Sequence, residues 1–359
     1  MTPPHPHPDR VVTPELVGDT GGNHPLSGAQ MQQWRSQGYV LVDGLLPPDL
    51  VDEVAAYGRE RFAAPDSAES EEVRDFGSPC VFPSSNPAFD AVTLHPRILG
   101  AVAQLLDRGV DGLRLTQSNL WPKYGRRRGS EEADQYDNND QRIHVDYPNH
   151  TLTHPTPWER PEAIEAIVYY GTFAECGGAT AVVPRSGADD PAYTWPIVAS
   201  PGIGELPWVN DRTRAEAALA RHRPDWVELR ERLYEREVYT GYRRGTVLLY
   251  RHDTWHRGTP LAPGTMRVAQ NLTFRKAECE WIGTMHEGWA WKMYRADQYT
   301  ERLVAAATPS QRTVLGFPAP DSSYWCPQTL SAVVARYGPF GFDPDPYQAA
   351  ALNPKETQQ

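Results

Sequence analysis

Four side chains in this sequence have the types and spacing to do chemistry together: His144, Asp146, His256 and Arg267. The run Ile143-His-Val-Asp-Tyr147 reads as a strand, and in a strand residues i and i+2 point to the same face. The imidazole of His144 and the carboxylate of Asp146 then converge on one point. His-x-Asp alone arises by chance in many chains, and a distant histidine in a strand-rich sequence is what makes it informative. His256 supplies it, 110 residues after Asp146, a gap long enough to carry several strands. Two imidazoles and one carboxylate cover one face of an octahedron and leave three positions open, the ligand set that suits non-haem Fe(II). Those positions can take a bidentate keto acid and then O2. Binding needs neutral imidazole and ionised carboxylate, a condition met near neutral pH. Arg267 follows His256 by eleven residues. Its guanidinium can grip a carboxylate bidentately, the anchor that 2-oxoglutarate needs for its far carboxylate.

Such residues need rigid carriers, and the pattern around them is strand-rich. Val247 to Tyr250 is an apolar, β-favouring run entered through Arg244-Gly245. Leu261-Ala-Pro-Gly264 is a turn, and Met266 to Phe274 alternates as a returning strand. The expectation is a hairpin with His256 on the outgoing arm and Arg267 on the returning one. Leu113–Trp121 and Ala163–Tyr170 read as further strands, and Glu175 to Ser186 as a glycine turn, a strand and a proline stop. Its paired glycines are too short a run for a phosphate-cradling fingerprint. Towards the N-terminus, Ser27 caps a short helix ended by Gly38, Tyr39–Asp43 is a strand, and Asp49–Phe62 and His95–Leu106 are helices. The polar stretch Arg126–Arg142 reads as a solvated loop whose charges largely cancel.

The organisation expected is a mobile Pro/His-rich tail over 1–25 and a single domain over 26–359. A helical insertion at 187–239, broken by Pro224, would cover one mouth of the core, and a helical, aromatic extension would run over 277–359. Trp281, Trp289, Trp291, Tyr294 and Trp325 in that extension read as core packing. The fold class is mainly β with helical additions (α+β). A net charge of -11 lacks the basic footprint of a nucleic-acid binder. No apolar run approaches the roughly 20 residues that cross a membrane. The first nine residues hold no signal-peptide core. Four widely spaced cysteines form no CxxC. The expected setting is the cytoplasm, and the expected partner a small-molecule substrate.

Three motifs together, His144-Val-Asp146, Gly177-Gly-Ala-Thr-Ala-Val-Val-Pro-Arg-Ser186 and Trp255-His-Arg-Gly-Thr-Pro260 with Arg267, resemble the phytanoyl-CoA dioxygenase family. Ala29 to Leu46, ending Gly-Tyr-Val-Leu-Val-Asp-Gly-Leu-Leu, resembles its usual opening, so the likeness covers roughly Leu26 to Lys276. The resemblance implies a double-stranded β-helix, a jelly-roll or cupin-like core of two packed sheets. It implies a dioxygenase using Fe(II), 2-oxoglutarate and O2. His144, Asp146 and His256 match the iron ligands, and Arg267 matches the 2-oxoglutarate anchor. Gln117 matches a position that often contacts cosubstrate or substrate, with Thr180 and Trp121 as further carry-overs. The chain departs from the family where Gly187 follows Pro-Arg-Ser in place of a frequent histidine. It departs again where Gly258, rather than serine, stands two after His256. Related halogenases lack the carboxylate, so Asp146 makes hydroxylation the default outcome, with desaturation, epimerisation and ring formation open to the same chemistry.

Other readings are set beside this one. His252 and His256 are spaced i, i+4, as on a zinc-binding helix, but the flanking sequence favours strands and no HExxH glutamate is present. His252 reads instead as a residue behind the site or on the surface. A cupin-type metalloenzyme needing no 2-oxoglutarate would leave Arg267 without a purpose. A non-catalytic binding relative would be expected to have lost one of the four residues. Substrate identity and oligomeric state carry no readable signal.

Overall fold

The computed structural model describes residues 8–18, 24–73, 78–125, 140–146, 156–196, 209–279, 299–309, 312 and 317–352. Its strands are β1 (Val11–Val12), β2 (Glu15–Leu16), β3 (Tyr39–Asp43), β4 (Cys80–Val81), β5 (Leu113–Tyr124) and β6 (Ala163–Tyr169). They continue with β7 (Thr180–Val182), β8 (Val238–Thr240), β9 (Val247–Arg251), β10 (His256–Gly258) and β11 (Met266–Lys276). Seven form one sheet in the order β2-β3-β9-β6-β11-β5-β4, and four form a second in the order β1-β8-β7-β10. After β8 the chain crosses to the large sheet in β9, to the small sheet in β10 and back in β11. This alternation between sheets is the double-stranded β-helix.

The expected hairpin is therefore corrected. β9 pairs with β3 and β6, β10 with β7, and β11 with β5 and β6. Two apolar runs joined by a turn look like pairing partners, but each finds its partner in a strand distant in sequence. His256 and Arg267 consequently stand on different sheets.

Period-two alternation gives each face of the large sheet its own core. Val40, Val42, Ile164, Ala166, Val168, Val247, Leu249, Val268 and Leu272 share a cluster with apolar residues of α1 (Gly28–Gln37), α2 (Pro48–Arg61), α3 (Pro87–Thr93) and α4 (Pro96–Leu106). The opposite face, with Leu41, Ile167, Tyr169, Leu248, Tyr250 and Ala269, shares a cluster with Val182 of the small sheet. A strand covered on both sides reads as a nearly continuous apolar run, and all seven residues of β6 are buried, Glu165 among them.

Helix α1 also organises the turn before β10. Ser27 and Gln30 form a capping box at its start, and Gly38 ends it in the left-handed conformation. The Gly38 carbonyl accepts from the Arg251 amide at 3.0 Å and from the Thr254 hydroxyl at 2.9 Å. Within the turn the buried Arg251 guanidinium meets Asp253 with two bonds, of 2.8 and 2.9 Å. Burial alone would raise the Asp253 carboxyl, but Arg251 outweighs it and holds the group below its ordinary value. Because the folded value is the lower one, this contribution is intact above the ordinary carboxylate range near ~4. It is lost as pH falls through the folded value. Asp253→Ala is expected to cost about 3–5 kcal/mol by leaving the buried guanidinium without its carboxylate. A urea titration checks this; a change below about 1 kcal/mol would contradict it.

The helical reading of the insertion is seen in α5 (Arg212–His222) and α6 (Val227–Glu235), separated at Pro224 by one 3-10 turn. Within the segment expected to be a tail, Val11–Val12 pairs with β8 and Glu15–Leu16 with β3. The chain divides into two compact units, 1–143 with 163–188 and 208–277, and 144–162 with 189–207 and 278–359. All the strands belong to the first. The second has its own core, in which Phe317, Trp325, Tyr337, Phe342 and Tyr347 pack with residues of α7 (Tyr299–Ala306), α8 (Pro327–Tyr337) and α9 (Asp345–Leu352). Trp325 is fully buried there, as its core-packing reading expects. Trp281, Trp289, Trp291 and Tyr294 lie outside the described residues. Among the described residues no helix is long and apolar enough to cross a membrane.

Candidate metal centre

His144, Asp146 and His256 each offer one ligand atom, and these atoms all lie within 4.8 Å of one another. The His144 Nε2 to Asp146 Oδ1 separation is 3.7 Å. The three residues are largely withdrawn from water, with whole-residue exposures of 7, 9 and 5 %. A metal with bonds near ~2.1 Å seats neighbouring donors about 3 Å apart, so small rotations would close this set around an ion. Two imidazoles and a carboxylate are a donor set for Fe(II) with open positions, and the three residues fit it.

The local fold fixes which nitrogen His256 offers. Its Nδ1 lies 2.9 Å from the Thr254 carbonyl oxygen, which can only accept, so Nδ1 carries the hydrogen. Nε2 is left with its lone pair, the state a metal ligand needs. The Thr254 carbonyl belongs to the turn held by Gly38, so α1 sets the ring's orientation through two successive hydrogen bonds. The Tyr250 hydroxyl approaches the same Nε2 at 3.4 Å, and its ring lies 4.7 Å from the imidazole.

Arg267 projects from β11 on the face that carries Ala269 and Tyr169. It is 8 % exposed and donates to the Gly178 carbonyl. Gly177 and Gly178 both take positive φ, and a Cβ on Gly178 would lie 2.3 Å from Leu261, so only glycine suits this turn. The guanidinium carbon sits 5.6 Å from the Tyr169 ring and 5.8 Å from the Tyr242 ring, and the two rings stack at 4.3 Å. Among the described residues no carboxylate pairs with Arg267, and its buried Nε has no hydrogen-bond partner. A buried guanidinium with an open donor and aromatic walls has the chemistry to receive a carboxylate.

The architecture is similar to that of several solved structures. These include the non-heme alpha ketoglutarate dependent carbocyclase SnoK from nogalamycin biosynthesis, at 17% identity over 78% of this chain and 90% of that one, TM-score 0.46. They include EctD from S. alaskensis in its apoform, at 16% identity over 79% and 89%, TM-score 0.47. HygX from Streptomyces hygroscopicus, with nickel and 2-oxoglutarate bound, matches at 14% identity over 70% and 87%, TM-score 0.43. No family model and no curated protein matches the chain. Likenesses this distant carry no functional argument, and what the site can do rests on its own residues.

Thr180 lies on β7 opposite Gly258 and accepts from the Tyr169 hydroxyl at 2.7 Å. It is thus one ring removed from Arg267. Gln117 is elsewhere. The β5–β11 register pairs it with Thr273 and pairs Lys123 with Arg267, a separation of about 20 Å along the strand at ~3.3 Å per residue. Gln117 Oε1 lies 3.1 Å from the Thr273 hydroxyl, which bonds Glu165 at 2.5 Å. Trp121, opposite Ala269, is buried between these two ends.

Other expectations change. His252 is buried in the turn between two strands rather than on a helix or the surface, which removes the zinc-helix reading. Around His144 an isolated bridge position replaces the expected strand. The stretch taken as a solvated loop ends in Gln141 and Arg142, both buried, while 126–139 lie outside the described residues. Tyr250, Thr254 and Gln141 escaped the sequence reading. Tyr250 was legible as a buried strand residue six before His256, but neither of the others carries a local signal.

Proposed function

We propose that this chain is an Fe(II)- and 2-oxoglutarate-dependent dioxygenase of the phytanoyl-CoA dioxygenase type, hydroxylating a small organic substrate. The observation that carries the reading is the gathering of His144, Asp146 and His256 donors within 4.8 Å, buried. Arg267, buried with an open donor, supports the choice of a dicarboxylate cosubstrate. The overall reaction converts a substrate C–H to C–OH, with one oxygen atom of O2 in the product and the other in succinate, and CO2 released.

His144, Asp146 and His256 would hold the iron, His256 through Nε2. Fe(II) held there would supply the O2 activation that side chains alone cannot. Arg267 receives the far carboxylate of 2-oxoglutarate, and the stacked Tyr169 and Tyr242 rings exclude water there, which strengthens the ion pair. Thr180 keeps the Tyr169 ring in place. The Tyr250 hydroxyl stands beside the His256 ligand atom and orients what binds next to it. Gln117, with Thr273 and Glu165 at the far end of β11, is assigned to the substrate rather than to the carboxylate held by Arg267.

Succinate release tests the reading. The protein incubated with Fe(II), 2-oxoglutarate and O2 is expected to form succinate slowly without substrate and faster with a productive one, and to stop when the metal is chelated. Oxygen consumption without succinate would contradict the cosubstrate and favour a keto-acid-independent cupin-type enzyme.

A further inference from the structure

The chain reaches His144 through a four-residue segment, 140–143, that is bonded at every position. The Asp140 carbonyl accepts from the Arg212 amide at 2.9 Å, and the Arg142 amide donates to the Val209 carbonyl at 2.9 Å. The Ile143 amide donates to the Tyr234 hydroxyl at 3.0 Å, and its carbonyl accepts from Arg230 at 3.0 Å. These partners all lie in the helical insertion.

Gln141 is different, because it bonds the strand that carries His256. Its amide donates to the Gly258 carbonyl at 3.0 Å, and its side-chain Oε1 accepts from the Gly258 amide at 2.6 Å. The side chain thus takes the place of a second main-chain partner at β10. Its Nε2 donates in turn to Asn210 Oδ1 at 3.0 Å, so both ends of the amide are used. Gly258 is required for this approach: a Cβ there would lie 2.8 Å from Gln141 Oε1 and 2.9 Å from Lys123 Nζ. The neighbouring Arg257 ties the same strand to Asp140, and to Glu237 with bonds of 2.5 and 3.0 Å.

Resting on the metal reading above, we propose that Gln141 is a positioning residue for the metal centre. By fastening the chain to Gly258, it fixes the point from which His144 and Asp146 depart, three and five residues later, relative to His256 two residues before Gly258. The insertion then serves the metal centre as a clamp, through Asn210, Arg212, Arg230 and Tyr234, as well as any role it has as a cover. A three-ligand facial site depends on such alignment, because a displaced ligand is not replaced by a fourth.

The test is a titration of the apo-protein with Co(II), followed by its visible ligand-field bands, beside a thermal melt without metal. Gln141→Ala removes the acceptor for Gly258 and the bond to Asn210. It is expected to raise the Co(II) dissociation constant by about ten- to a hundredfold, the usual effect of removing an outer partner of a metal site. Gln141→Glu retains an oxygen at the same reach, and Asn210 can present its own amide group to it. It is expected to recover most of the affinity. Unchanged Co(II) affinity in Gln141→Ala overturns the proposal, whatever the melt does; so does a loss that Gln141→Glu fails to recover. If Gln141→Ala does not fold, Gln141→Asn, one methylene short with the same amide, must bind Co(II) more weakly than Gln141→Glu, and equal affinity overturns the proposal. Wild-type protein that binds no Co(II) overturns the metal reading itself, and this inference with it.

Discussion

Asp146→Ala is expected to abolish iron-dependent turnover and to weaken metal binding by more than the ~100-fold that disturbing an outer partner costs. Two neutral imidazoles, His144 and His256, would remain, and they supply no negative charge to offset a divalent cation. The carboxylate would also be the third donor of the set, its Oδ1 3.7 Å from His144 Nε2. Turnover and metal affinity should fall together, while the apo-protein keeps its fold because both cores of the large sheet exclude this residue. Succinate formation and an Fe(II) titration on the same preparation check this. A variant that keeps wild-type turnover would remove Asp146 from the metal centre and with it the reaction proposed here.

Arg267→Ala should act on the cosubstrate rather than on the metal. The guanidinium is buried, donates to the Gly178 carbonyl and leaves Nε open among the described residues. Truncating one partner of a buried, hydrogen-bonded charge pair costs about 2–5 kcal/mol, so the 2-oxoglutarate requirement should rise on the order of a hundredfold or more. Metal affinity measured without 2-oxoglutarate should stay near wild type. Arg267→Lys should recover only part of the loss, since an ammonium is a point charge and cannot grip a carboxylate as a planar fork does. The KM for 2-oxoglutarate, measured in the three proteins, decides the matter. An unchanged KM in Arg267→Ala would take this residue out of its role.

What could be read from the sequence was what depends on neighbours along the chain. Ser27, Gln30 and Gly38 declared both ends of α1, Pro224 split the insertion where it does, and the apolar runs at Ala163 and Val247 became strands buried on both faces. The triplet of His144, Asp146 and His256 was legible for a different reason: His-x-Asp is common by itself, and its combination with a distant histidine in a strand-rich chain singled it out. Pairing was not legible. β9 and β11 look like a hairpin because the turn at Leu261–Gly264 is well formed, yet β10 leaves for the small sheet to pair with β7. Partners distant in sequence decide that choice, and no local pattern records it. Gln141 was hidden by composition, since its polar neighbours made the stretch look solvated, while its burial comes from Gly258 and Asn210, 117 and 69 residues away. The two-residue strands at Val11 and Glu15 are too short to show alternation and take their conformation from β8 and β3.

The central claim is that one metal and one keto acid meet at His144, Asp146 and His256. It is tested most directly by adding Fe(II) and then 2-oxoglutarate to the apo-protein without oxygen and recording the visible spectrum. A weak charge-transfer band is expected when both are present and with neither alone, because the band arises from a keto acid chelated to the iron. It should be absent from His256→Ala. Tight metal binding with no such band on adding 2-oxoglutarate would contradict the account, and so would a band of full intensity in the His256 variant.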